Sequence, residues 1–199
     1  MRASSLLVVL VLFVCLDGHA SAVRAGGASA FGVQSHVPGQ VEASFLVNLF
    51  KFVQWPASAP LAEPATICFL RSSVVQKRLE TALAASESWT QLRGHTVIVK
   101  VLSAPGELSD TAAGAACRIL YLDARTADQL WPFPVPAAVL TVSNKRDFAY
   151  RGGMVQFLWD SQDTYRIAIH PGNVIASGLV VSGALGTLAD RVDAARFSP

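Results

Sequence analysis

The chain has 199 residues, 52% of them apolar and 15% charged, with a formal net charge of +2. This composition excludes a disordered chain and suffices for a domain with its own core. The 16 basic residues are scattered, with no run of five or six, which speaks against a nucleic-acid partner.

The chain opens like a secretory signal. Arg2 supplies the positive first region, and Leu6 to Leu16 form an almost unbroken apolar stretch. His19-Ala20-Ser21-Ala22 then offers the small residues a signal peptidase reads, so cleavage is expected after Ala22. A second small-residue site lies at Ala28-Ser29-Ala30. The apolar run is roughly half of the ~20 residues that span a bilayer, too short for a retained anchor. Val14 before Cys15 is bulkier than the small residue a lipid-attachment site wants. Residues 1–22 thus read as a signal peptide, 23–36 as a flexible leader and 37–199 as a single α/β domain. Once Cys15 leaves with the signal, Cys68 and Cys117 remain, an even pair whose oxidising compartment favours a disulfide. Closing so long a loop is worth about 4 kcal/mol in the chain-entropy picture. The alternative is two buried free thiols.

Val41 to Val53 predicts a helix, with Phe45, Leu49, Phe52 and Val53 on one apolar stripe. Trp55-Pro56 ends it, because proline disfavours helical geometry in the residue before it. Ala65 to Leu70 has the length and continuous apolar content of a buried strand. Ser72 is placed to cap a second helix, with Val74, Val75, Leu79 and Leu83 facing inward. His95 to Leu102, Cys117 to Leu122 and Val139 to Val142 read as further strands, with a short helix from Ala124 to Leu130. Met154 to Trp159 and Tyr165 to Ile169 flank the turn-forming Asp160-Ser161-Gln162-Asp163 and predict a hairpin. A last helix is expected from Asn173 to about Val192, with Gly178, Gly183 and Gly186 letting it lie close to the sheet. Strands alternating with helices imply a mostly parallel sheet with helices on both faces, an α/β/α sandwich ending in a β-hairpin and a helix.

The residues that carry chemistry in enzymes are missing from their usual settings. His36, His95 and His170 follow the signal, and none stands at metal-ligand spacing from another His, Cys or acid. No G-x-S-x-G elbow occurs, and Arg71-Ser72-Ser73 lacks the glycines and lysine of a phosphate loop. No catalytic role, metal or cofactor is therefore expected. Partner contact is expected instead from polar, basic and aromatic residues near element ends. Asn48 and Lys51 stand beside Trp55 on the first helix. Trp131 and Phe133 lie in a Pro-rich loop, and Arg146, Tyr150 and Arg151 precede Gly152-Gly153. Trp55 itself is expected to plug the end of the core, and the two glycines to serve backbone geometry.

Six segments occur in an order that resembles a known family. They are Glu42 through Pro56, Ile67-Cys68-Phe69-Leu70, Arg93-Gly94-His95-Thr96-Val97-Ile98-Val99, Cys117-Arg118-Ile119-Leu120-Tyr121-Leu122, Val139-Leu140-Thr141-Val142-Ser143 and Gly152-Gly153-Met154-Val155-Gln156-Phe157. In this they resemble the YfiR/HmsC family of periplasmic regulators. The resemblance implies a soluble, non-catalytic periplasmic domain that inhibits the periplasmic part of an inner-membrane diguanylate cyclase. Cyclic di-GMP, exopolysaccharide production and biofilm formation would fall as a result. It also implies an outer-membrane lipoprotein as a second partner and a disulfide between Cys68 and Cys117. Some members carry a second cysteine pair near the Gly-Gly motif; this chain has none there, so regulation by redox state is left open. An alternative is a periplasmic small-molecule-binding module that signals to a membrane sensor kinase. A homodimer is left open.

Overall fold

A computed structural model describes residues 39–85, 87, 91–92, 94–108, 117–159 and 165–191. All of them belong to the unit Ser35–Pro199. The expected signal and leader and the 160–163 turn lie outside the described residues.

Helix α1 (Gln40–Phe52) begins after Gly39, whose φ of 81° is costly for any residue with a side chain. A Cβ there would also press on Val74 and the backbone of Val75 at 3.1–3.3 Å, so α1 starts directly against the next helix. Ala43, Leu46, Val47 and Phe50 recur at helical spacing and are buried. The chain then turns extended as β1 (Val53–Gln54). Strand β2 (Ala65–Leu70) is buried at every position, as a central strand should be. In α2 (Val74–Ala85) the cap is Ser73, not the expected Ser72: Ser73 Oγ accepts from the Gln76 N–H at 3.1 Å. Ser72 donates to Gln76 Oε1 instead. The inward stripe therefore runs through Val75, Leu79 and Leu83. Val74, expected inward, lies about 100° off it and is 56% exposed.

The remaining strands are β3 (Gln91–Leu92), β4 (His95–Leu102), β5 (Cys117–Leu122), β6 (Leu140–Ser143), β7 (Val155–Trp159), β8 (Tyr165–Ile169), β9 (Val180–Val181) and β10 (Asp190–Arg191). The sheet order is β10-β8-β7-β6-β5-β2-β4-β3, with β1 and β9 pairing apart from it. Strands β4, β2, β5, β6 and β7 run parallel, and β8 returns antiparallel to β7 as the expected hairpin. Helix α3 (Ala124–Leu130) follows β5 and is capped by Asp123, which accepts from the Thr126 N–H at 2.7 Å. The sandwich is mostly parallel with helices on both faces, as the alternation of elements predicts.

The single C-terminal helix expected from Asn173 is instead two short ones, α4 (Pro171–Ala176) and α5 (Gly183–Leu188), with β9 between them. Gly178, at φ 77°, ends the first helix in the left-handed region rather than easing a long helix onto the sheet. Val180 and Val181 then pair antiparallel with Gln54 and Val53. Ser182 opens the second helix.

Side chains alternate across the sheet into two cores. One face collects Ile67, Phe69, Ile119, Tyr121, Val142 and Phe157 beneath α1 and α2. The other collects Cys68, Leu70, Leu120 and Leu122 beneath α3, Trp131 and Phe148. Cys117 joins this second core because of a bulge. Thr66 pairs with Cys117, but Ile67 already pairs with Ile119, so Arg118 is skipped. That shift sends Cys117 and Ile119 to opposite faces, and Cys68–Cys117 closes as a disulfide with Cα atoms 5.6 Å apart.

Candidate functional site

The residues expected to meet a partner fall into two groups. Asn48 and Lys51 lie on α1, where they border a groove of about 430 Å³ against Phe45, Phe52, Tyr165 and Ile167. Asn48 Nδ2 donates to Ser44 O at 2.9 Å, fixing the amide along the helix. Lys51 is exposed in the last turn, where a cation also complements the helix dipole. Phe45 stacks on Tyr165 with ring centres 5.3 Å apart. Burial, aided by the Glu42 carboxylate, pushes the Tyr165 and Tyr121 hydroxyls far above the usual phenol range, so both stay neutral.

Trp131, Phe133 and Arg151 come together on the other side. Trp131 is only 8% exposed, its ring packed 4.8 Å from Phe148 and 5.3 Å edge-on to Phe133. Its indole N–H donates to the Arg151 carbonyl at 2.8 Å. Trp131 thus closes the second core and braces the 144–153 loop from below. Arg146, Tyr150 and Arg151 are exposed on this braced loop, together with Asp147 and Gly152. Lys145 fastens the loop to α3 through Asp128 at 2.6 Å. Gly153 is required because a Cβ there would stand 2.3 Å from the Phe148 ring, and Gly152 adopts φ 94°. Gly152 serves backbone geometry, as expected, whereas Gly153 is there to let the Phe148 ring approach. Trp55 holds the end of the first core, donating to Ala138 O at 3.0 Å.

Two contributors escaped sequence reasoning. Tyr165 supplies a wall of the α1 groove from the distant hairpin. Asn173 borders a cavity of about 400 Å³ with Trp131 and Met154, and its Nδ2 donates to Gly153 O at 2.9 Å. The Pro-Gly-Asn opening of α4 was the available signal, because His170 Nδ1 accepts from the Asn173 N–H and so sets Asn173 in the first helical turn. Among the described residues no three His, Cys, Asp or Glu side chains gather where they could hold a metal ion. No helix among them is long and apolar enough to cross a membrane.

The family described as YfiR/HmsC-like matches residues 39–190, from the first residue of the described fold to its last strand. The chain belongs to the YfiR/HmsC-like family. No curated protein matches it. The YfiR/HmsC-like family is known for regulation rather than catalysis. Neither surface gathers a nucleophile, a base and an oxyanion donor from its described side chains.

Proposed function

We propose that this protein is a periplasmic regulator that binds and inhibits the periplasmic part of a membrane diguanylate cyclase, lowering cyclic di-GMP and exopolysaccharide output. Membership of the YfiR/HmsC-like family carries the reading. The signal-like N-terminus and the Cys68–Cys117 disulfide support an oxidising compartment. The contact surface is the loop bearing Arg146, Tyr150 and Arg151, with Trp131 and Phe133 beneath it. Aromatic and arginine side chains are favoured at interface centres, and a braced loop loses little backbone entropy on docking. An outer-membrane lipoprotein would compete by sequestering the same domain.

The test uses the mature chain as bait against detergent-solubilised membranes, with cyclic di-GMP measured in cells with and without the gene. Capture of a protein with a cyclase output domain, lost on Arg151→Glu, together with raised cyclic di-GMP in the deletion, supports the proposal. Unchanged cyclic di-GMP in a cell that holds the captured cyclase overturns it. A second reading, a small-molecule receptor for a sensor kinase, rests on the cavity beside Trp131 and Asn173, which has the size of a ligand pocket. A metabolite that raises the melting temperature, and does so no longer after Asn173→Ala, would favour it.

A further inference from the structure

Helix α5 is a weak helix in a loose seat. Two of its six residues, Gly183 and Gly186, are the poorest helix formers after proline, and six residues fall far below the ~12–15 that an isolated helix needs. Among its described side chains Leu185 alone is buried. Empty space flanks it on both sides. A cavity of about 250 Å³ lies between Gly183, Gly186, Pro171 and Ile175, and the α1 groove lies on the side of Leu185. Both are clefts open to solvent, so little side-on packing holds the helix. Nearby, Ile175 is 71% and Val180 56% exposed. The helix is held at its ends: Ser182 N–H donates to Phe52 O at 2.8 Å, Val181 pairs with Val53, and Asp190 pairs with Ala168. The ladders from β4 through β8 involve none of its residues.

We infer that α5 is a displaceable lid, and that the trough beneath it, floored by Leu49, Phe52, Ile167 and Ile169, is an interaction surface for an amphipathic helix of a partner protein that bears a carboxylate. Two observations choose that occupant. The trough already seats a helix through one leucine, so a helix with apolar residues at i, i+3 or i+4, and i+7 fills the space that the glycines leave. The charged side chain on the wall is Lys51, exposed on α1, and it selects an acidic partner. This surface is distinct from the Trp131–Arg151 loop and does not depend on the cyclase reading.

Hydrogen exchange read by mass spectrometry tests both halves, using the mature chain and a probe peptide of Leu, Ala and Glu about four helical turns long. A second peptide carries Lys in place of Glu. In the free protein, amides 185–188 should exchange at least about tenfold faster than amides 46–52, since local opening follows weak packing. The acidic peptide should slow 49–52 and 167–169 while quickening 185–188. Lys51→Glu should reverse the preference between the two peptides. Gly183→Ala adds a methyl that meets nothing within 4 Å, firms the helix, and should weaken the acidic peptide about fivefold. Exchange of 185–188 as slow as that of α1 overturns the lid. Equal binding of both peptides, no binding of either, or unchanged affinity in Gly183→Ala overturns the proposed surface.

Discussion

On one face of the sheet, α1 and α2 lay Leu46, Phe50, Val75 and Leu79 across Ile67, Phe69 and Ile119, a broad apolar contact between regular elements. On the other face, among the described residues, the seven-residue α3, a 3-10 turn at Pro105–Leu108 and two loops cover a smaller core around Leu70, Leu120 and Leu122. There the backbone of the covering loops is tied down bond by bond. Thr141 Oγ1 accepts from the Met154 N–H, Gln156 Oε1 from the Ala149 N–H, and Trp131 reaches the Arg151 carbonyl. The disulfide sits on this second face. Loops bring polar backbone that must be satisfied, and they bury less apolar surface for each residue ordered. A face closed by loops therefore depends on particular bonds, whereas a face closed by helices depends on area.

The sharpest way to break this comparison is Cys68→Ala, expected to cost about 4 kcal/mol because the loop it frees is long. Denaturant titration with and without reductant checks it: the parent should weaken on reduction and the variant should not respond. Leu46→Ala on the helical face should cost about 3 kcal/mol through a cavity, with the parent's full response to reductant retained. Adding the two costs in the double variant within about 0.5 kcal/mol would show that the faces are energetically separate. Gly153→Ala should cost about 2 kcal/mol by driving a methyl into the Phe148 ring. Thermal melts of Gly153→Ala with and without Phe148→Leu measure it, and partial rescue in the pair marks the clash as the cause. Trp131→Phe should cost about 1 kcal/mol, leaving the Arg151 carbonyl without its donor, and amide exchange should quicken in 144–153 while α1 stays slow.

The smallest expected effect is electrostatic and lies at the open end of β4. Hydrogen bonds from Thr96, and then the neighbouring His95, hold the Glu63 carboxyl below the usual carboxylate range. A group with a depressed folded pKa contributes stability above its unfolded value and loses it as pH falls through the folded value. Acid melts from about pH 5 to about pH 3 should therefore weaken the parent slightly more than Glu63→Gln.

How much of this was legible depended on where the deciding contact lay. Strands β2, β4, β5 and β8 have the bounds that their residues suggest, because continuous or alternating apolar content within a few residues decides them. The region after Asn173 misled for the opposite reason. Val174 to Leu188 is apolar without a clear period, and its division rests on Gly178 turning left-handed and on Val180-Val181 finding Val53-Gln54 from the far end of the fold. Val74 reads as inward because it is apolar, but it lies about 100° off the stripe that Val75, Leu79 and Leu83 do form. Trp131 shows the limit for sites. An aromatic residue in a Pro-rich loop reads the same whether it faces solvent or plugs a core, and a carbonyl twenty residues away decides between them.

The skipped residue at Arg118 gives the Cys68–Cys117 bond a meaning beyond its strength. A regular β5 would put Cys117 and Ile119 on the same face; with the bulge, cysteine and isoleucine part, and each enters its own core. A pairing slipped by one residue would withdraw Cys117 from its partner and turn Ile119 away from α1 together. Within the folded sheet, then, the bond that ties Cys68 to Cys117 also locks Ile119 toward α1, so one covalent link fastens the register of both faces at once.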